Sequence, residues 1–196
     1  PAIIVIFGIT GDLAQRKLLP ALYHLFKDKL VHEHTEIIGL TRQNLQVDDL
    51  LQKVELCVLE RDNVCDPEVM HAIKSHLRML QLDPTTPGDY DRLLESLNSI
   101  EDEHGVCMNR LYYLSVPPSI YSVVVQNLGE HRLNTSCQHG KAATRLLVEK
   151  PFGYDLETGK QLITHTEKYF KEDQIFRIDH YLAKESAQNI FRSEES

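Results

Sequence analysis

A short, wholly apolar run, Ile3-Ile4-Val5-Ile6-Phe7, ends at Gly8 and gives way at once to a helical pattern. This junction constrains the fold more than any other stretch. The run is rich in β-branched residues and has no alternating polar positions, so it reads as a strand buried on both faces. Downstream, Leu18, Ala21, Leu22, Leu25 and Phe26 fall at helical spacing and make one apolar stripe. Between strand and stripe lies Gly8-Ile9-Thr10-Gly11-Asp12-Leu13-Ala14, with the spacing G-x-x-G-x-x-A, a variant of the turn that holds dinucleotide phosphates. Glycines let such a backbone turn tightly and approach a pyrophosphate. The helix start offers unpaired N–H groups and about half a positive charge. Thr10 adds a hydroxyl donor. Asp12 would repel a pyrophosphate, so it is expected to turn away and accept from backbone N–H groups of the first helical turn. A plain strand–helix turn that happens to use glycines is the rival reading, and the strand before and helix after weigh against it.

The remaining elements alternate. Glu36 to Leu40 reads as a second strand and Gln46 to Leu59 as a helix. From Asp66 to about Ser99 the pattern is helical, interrupted by the Pro84–Gly88 turn. Leu111 to Val116 reads as a third strand, stopped by Pro117-Pro118. Ser119 is the expected cap of the next helix, with Ile120, Val124 and Leu128 on its inner face. After a polar loop from Gly129 to Thr144 come a strand at Arg145 to Glu149 and a helix capped by Asp155. That helix is expected to bury Leu162, Ile163, Thr166 and Phe170. A short strand follows at Gln174 to Ile178. Strands alternating with helices imply crossovers, and hence an α/β fold: doubly wound, mostly parallel, Rossmann-like.

The end of the second strand bears on the ligand. Sites built for NAD place an acid there for the ribose 2′-hydroxyl, whereas those accepting NADP use an arginine for the 2′-phosphate. The chain reads Gly39-Leu40-Thr41-Arg42-Gln43 at this point. There is no acid, and the Arg42 guanidinium is able to make a planar fork on a phosphate. A solvated surface arginine is the alternative, but together with the Gly8 turn Arg42 favours NADP.

Composition sets outer bounds. With 196 residues, 42% of them apolar, the chain has material for one full core and the start of another unit. A net charge of -8 argues against a nucleic-acid surface. No apolar run approaches the roughly 18 residues of a membrane span, and nothing resembles a signal peptide. Cys57, Cys65, Cys107 and Cys137 lack Cys-x-x-Cys spacing, so they read as reduced thiols of a cytoplasmic protein, with no metal site. Ten histidines include no helical i, i+4 pair, and His32 and His34 read as solvated.

Three stretches together resemble the glucose 6-phosphate dehydrogenase family: the Gly8–Ala14 turn, Val148-Glu149-Lys150-Pro151-Phe152-Gly153, and Arg177-Ile178-Asp179-His180-Tyr181-Leu182-Ala183-Lys184-Glu185. Leu114-Ser115-Val116-Pro117-Pro118-Ser119-Ile120-Tyr121 also matches a family segment. Ala183 stands where the family usually has glycine. The likeness runs from the first strand to Glu185 and is weak between about Leu45 and Ser99.

The resemblance implies that Gly8, Ile9, Thr10, Gly11, Asp12, Leu13, Ala14 and Gln15 line the phosphates of NADP, and that Arg42 meets its 2′-phosphate. It implies that Tyr121 and Lys150 touch the coenzyme and that Lys150 also reaches the sugar. His180, Tyr181 and Lys184 would bind glucose 6-phosphate. Asp179 would orient a general-base histidine that lies beyond this chain, in a second, α+β domain. On this reading residues 1–179 are the NADP-binding domain and 180–196 the start of the substrate domain. The chain alone would be inactive and monomeric, and the full-length protein a homo-oligomer. Rival readings are a dehydrogenase for another hexose 6-phosphate, a non-catalytic NADP-sensing module, and an α/β domain with no ligand.

Overall fold

The strand–helix alternation is realised as a single parallel sheet with helices on both faces. The computed structural model describes residues 1–136, 142–149 and 156–178. In chain order the elements are β1 (Ala2–Phe7), α1 (Leu19–Lys27), β2 (Thr35–Thr41), α2 (Val47–Asp62), α3 (Pro67–His76), β3 (Leu77–Gln81), α4 (Asp89–His104), β4 (Asn109–Leu114), α5 (Tyr121–Glu130), β5 (Thr144–Glu149), α6 (Leu156–Thr166) and β6 (Ile175–Ile178). The strands lie in the order β3-β2-β1-β4-β5-β6, and every pairing is parallel. Phe7 at the end of β1 stands in register with Leu40 of β2 on one side and Leu114 of β4 on the other. The chain therefore winds outward from β1 in one direction, returns, and winds outward from β4 in the other. The crevice beyond the carboxyl ends of β1 and β4 is the topological switch point, where sheets of this kind take ligands.

Alternation along β1 divides the core in two. Ile3, Val5 and Phe7 pack with Leu93, Leu97 and Ile100 of α4 and with Val124, Val125 and Leu128 of α5. Ile6 packs on the opposite face with Leu22 and Tyr23 of α1, Val54 and Val58 of α2, and Ile73 of α3. Both faces of β1 are thus covered, which is why its sequence has no polar alternation. Between the Gly8 turn and α1, Ala14–Leu18 forms a wider π turn, closed by the Leu19 N–H on the Ala14 carbonyl. Pro20 supplies a reason: it has no N–H for the Arg16 carbonyl, and its ring would crowd that oxygen in a regular α turn.

Several expectations need correction. The stretch expected to be helical from Asp66 to Ser99 contains the edge strand β3, paired with β2 from Ile37↔Leu77 to Thr41↔Gln81. Leu, Arg, Met and Gln are helix formers, and only pairing with β2 makes Leu77–Gln81 extended. Arg78 is held across the sheet by Glu36 (Nε to Oε2, 3.2 Å) and by both oxygens of Glu103 (3.1 and 2.7 Å). Ser119 does not cap a helix. It sits inside a 3-10 turn, Pro118–Ile120, with no side-chain cap, because the two prolines have already set the backbone there. Ile120 is only half-buried, whereas Val124 and Leu128 are fully buried. The cysteines are not uniformly reduced: Cys57 and Cys65 are free, but Cys107 is disulfide-bonded. Spacing along the chain is blind to thiols that meet through the fold. Asp155, the expected cap of α6, lies outside the described residues.

The end of the sheet away from the crevice carries buried charge. Arg110 of β4 donates to Glu101 of α4 (Nη2 to Oε2, 2.8 Å; Nε to Oε1, 3.3 Å), and both side chains are buried. The Met108 N–H and the Asn98 side-chain oxygen complete the set. These bonds tie α4 to β4.

Candidate functional site

A cleft of about 360 Å³ opens at the switch point. Gly8, Thr10 and Gly11 form its floor at the end of β1. Thr41 and Arg42 form one wall at the end of β2, extended by Asp83 and Thr85 after β3. The opposite wall is Ser115, Val116 and Pro117, just beyond β4. Four residues singled out in the sequence, Gly8, Thr10, Gly11 and Arg42, are therefore brought to one cavity. Arg42 lies on the same side of the sheet as the glycine turn.

Gly8 has a positive φ of 76°, and a Cβ there would lie 2.3 Å from the Ser115 carbonyl oxygen. The strand ends are that close because the Ser115 N–H donates to the Phe7 carbonyl at 3.0 Å. Gly11 closes the turn by donating to the Gly8 carbonyl at 2.9 Å. A side chain at Gly8 would occupy the junction itself, so the bare backbone is what leaves the cradle open.

The rest of the loop braces this floor. Ile9 is fully buried and its N–H reaches the Leu40 carbonyl at 3.3 Å, joining the turn to β2. Gln15 donates from Nε2 to the Thr10 carbonyl at 3.0 Å. Ala14 is fully buried and Leu13 half-buried at the start of the helix. Asp12 does turn away, but it meets Arg16 (Oδ1 to Nε, 2.7 Å) in an exposed ion pair instead of backbone amides. A guanidinium one turn along offers a full charge, which outcompetes partially charged N–H groups for the carboxylate.

On the β2–β3 side, Asp83 accepts from the Thr85 hydroxyl (2.7 Å) and the Thr85 N–H (2.9 Å). Those two bonds, and then the charge of Arg42, hold its carboxyl below the usual range. The loop is pinned from beneath by the Tyr90 hydroxyl, which donates to the Pro84 carbonyl at 2.8 Å. Arg42 thus projects beside a fixed carboxylate, and its own carbonyl accepts from Gln81 Nε2 at 3.0 Å. No sequence signal pointed to Asp83 and Thr85, because the strand that delivers them was itself unseen.

Tyr121 is placed differently. Buried at the head of α5, it lines a separate small cavity of about 20 Å³ with Val148 and Leu162. Its hydroxyl donates to the Leu114 carbonyl at 3.3 Å. Burial, and then the charge of Glu149, push that hydroxyl up to about 12. Glu149, also buried, ends β5 and accepts from the Tyr113 hydroxyl. Lys150, Asp179, His180, Tyr181 and Lys184 lie outside the described residues.

Whether a dinucleotide suits this cleft is tested by its polar inventory. The floor is a cradle that a single Cβ at Gly8 would fill, and one wall carries a cation. Ser115, with Val116 and Pro117, makes the other wall. A ligand that carries phosphates matches the glycine cradle and the cation. A six-stranded parallel sheet in this order, with a glycine turn at its switch point, defines a dinucleotide-binding domain of the doubly wound type.

Sequence comparison narrows the class. The family described as glucose-6-phosphate dehydrogenase, NAD binding domain, matches residues 5–189, and the chain belongs to that family. It is 41% identical over 187 residues to a glucose-6-phosphate 1-dehydrogenase of Aggregatibacter actinomycetemcomitans, covering 95% of this chain and 37% of the relative. It is 38% identical over 192 residues to the Caenorhabditis elegans enzyme of that name, covering 97% and 35%. A solved glucose-6-phosphate dehydrogenase in complex with its substrate glucose-6-phosphate superposes with a TM-score of 0.83 at 33% identity, over 96% of this chain and 38% of that one. The Mycobacterium avium glucose-6-phosphate 1-dehydrogenase gives 0.79 at 33% identity, over 92% and 36%. The chain thus spans little more than a third of these relatives. Among the described residues no helix is long and apolar enough to cross a membrane.

Proposed function

We propose that this chain is the coenzyme-binding part of an NADP-dependent dehydrogenase that oxidises glucose 6-phosphate at C1 to the 6-phosphogluconolactone, the entry reaction of the pentose phosphate route. The observation that carries this reading is the meeting of Gly8, Gly11 and Arg42 in one switch-point cleft, in a chain whose family is that of glucose-6-phosphate dehydrogenase. Arg42 would hold the 2′-phosphate, and the Gly8–Gln15 turn the pyrophosphate through the backbone of Gly8, Thr10 and Gly11. Bound there, the coenzyme supplies a hydride acceptor.

The sugar side follows from the motifs. His180, Tyr181 and Lys184 would bind the substrate phosphate. Lys150, just past the carboxyl end of β5, would reach both the substrate and the coenzyme, and Tyr121 would touch the coenzyme. A histidine outside this chain would remove the C1 hydroxyl proton as the C1 hydride leaves, with Asp179 fixing its orientation. Lacking that base and most of the sugar pocket, these 196 residues alone would be inactive. The whole protein would work in the cytoplasm as a homo-oligomer. Its partner is a small phosphorylated sugar, in keeping with the negative charge that disfavours nucleic acid.

Fluorescence titration with NADPH and NADH tests the reading. The wild-type protein should prefer NADPH. Arg42→Ala should weaken NADPH by about 10- to 100-fold, the worth of charge-assisted bonds to a phosphate, while leaving NADH nearly unchanged. Equal loss for both coenzymes, or binding of neither by the wild type, would refute it.

A further inference from the structure

Glu149 ends β5 as a buried carboxylate, after a run that is apolar from Leu146 to Val148. Leu147 packs in the layer under α1, and strand alternation sets Glu149, two positions on, on the same face. Its side chain is out of water, with the residue 6% exposed. A carboxylate in such a place is costly unless hydrogen bonds answer its charge. An apolar side chain would fill the space without needing a donor.

Two tyrosines supply the bonds, one from each layer of the core. Tyr113 of β4 packs under α1 with Ile6 and Leu22, and its hydroxyl donates to Glu149 Oε1. Burial, and then that bond, push the Tyr113 hydroxyl well above the ordinary tyrosine value, so it stays protonated and remains a donor. Tyr121, at the head of α5, packs in the other layer with Val124 and Val148. Its hydroxyl accepts from the Glu149 main-chain N–H and donates to the Leu114 carbonyl, at the end of β4. The last residue of β5 is therefore tied to β4 twice, by its side chain through Tyr113 and by its main chain through Tyr121. The next residue in the chain is Lys150.

We propose that Tyr113 and Glu149 are positioning residues for the dehydrogenase reaction: the hydrogen bond between them fixes the end of β5, from which Lys150 reaches the sugar substrate and the coenzyme. This rests on the function proposed above and adds to it two residues that act through Lys150 without touching a ligand. Small displacements of a group that orients reactants are expensive in rate, which is why a buried bond is worth keeping there.

The experiment measures turnover of glucose 6-phosphate with NADP by the full-length protein. It compares the wild type, Tyr113→Phe, Glu149→Gln and Glu149→Ala at a temperature where thermal unfolding shows each to be folded. Tyr113→Phe keeps the ring and loses only the hydroxyl. It should lower kcat/KM for glucose 6-phosphate by about 10- to 100-fold, the worth of one bond to a charged group. Glu149→Ala should lose as much. Glu149→Gln keeps an acceptor for the Tyr113 hydroxyl and should stay within about 3-fold of the wild type. All three variants should bind adenosine 2′,5′-bisphosphate as the wild type does, since that ligand needs only the Arg42 side of the crevice.

Wild-type kcat/KM in Tyr113→Phe, whatever its melting temperature, overturns the inference by making the bond structural only. A loss in Glu149→Gln as deep as that in Glu149→Ala also overturns it, since charge and not the bond would then matter. Weaker binding of adenosine 2′,5′-bisphosphate by the variants overturns it by showing that the whole crevice is disturbed. A wild type that does not oxidise glucose 6-phosphate overturns the proposed function and this inference together.

Discussion

Replacing Gly8 by alanine tests the geometry on which the cleft depends, and Gly105 provides the control. Both have positive φ, 76° and 64°, so each alanine carries the left-handed penalty of about 1–2 kcal/mol. Around Gly105, at the end of α4, a Cβ would meet nothing within 4 Å. At Gly8 it would lie 2.3 Å from the Ser115 carbonyl oxygen and 3.0 Å from Val116 Cγ1. That oxygen is backbone, tied to β1 through the Ser115–Phe7 bond of 3.0 Å. Clearing the clash therefore means opening the β1–β4 junction and weakening a buried hydrogen bond, a further loss of about 1–3 kcal/mol. Gly105→Ala should cost about 1–2 kcal/mol in urea unfolding, and Gly8→Ala about 2–5 kcal/mol. Only Gly8→Ala should also weaken NADPH binding, because the same methyl group narrows the cradle. If the two variants lose equal stability, or if Gly8→Ala keeps wild-type NADPH affinity, the close approach of β1 and β4 is not what holds the site open.

Two further outcomes follow from buried polar groups elsewhere. Glu101→Ala would leave the Arg110 guanidinium, 3% exposed, buried without its carboxylate. It should destabilise the protein by about 3–5 kcal/mol in chemical denaturation, and the double change Glu101→Leu with Arg110→Met should recover most of that. If the single change is silent, the pair does not seat α4 on β4. At high pH, burial holds the hydroxyls of Tyr90, Tyr112, Tyr113 and Tyr121 above the ordinary tyrosine value, to about 12 for Tyr121. Folding favours their protonated forms, so the stability they contribute is intact below about pH 10, where unfolded tyrosine titrates, and is lost as pH rises toward the folded values. The urea midpoint should fall progressively above about pH 10. A midpoint flat from pH 9 to 12 would mean that these hydroxyls are not held protonated by the fold.

Much of the cleft was legible because its residues are local in sequence. Gly8, Thr10 and Gly11 sit within four positions of one another, between a strand and a helix that each announce themselves by apolar periodicity. Arg42 was legible by rule, as the cation at the tip of the second strand. Asp83, Thr85 and Ser115 were not. The first two hang from β3, whose Leu-Arg-Met-Leu-Gln is extended only because β2 supplies its hydrogen-bonding edge. Ser115 lay within a segment already marked by its two prolines, but an unpartnered hydroxyl is a property of its surroundings, which no local pattern encodes.

Sequence alone determined the order of most strands and helices, the doubly wound class and the turn that faces the cleft, since these follow from apolar period, backbone permissiveness and adjacency. Tertiary structure decided which strand ends meet, that β3 is a strand, that Asp12 pairs with Arg16, that Cys107 is oxidised, and which buried polar atoms find partners. The difference is physical: periodicity and turn chemistry act over a few residues, whereas pairing, desolvation and hydrogen-bond satisfaction depend on groups that only folding brings within reach.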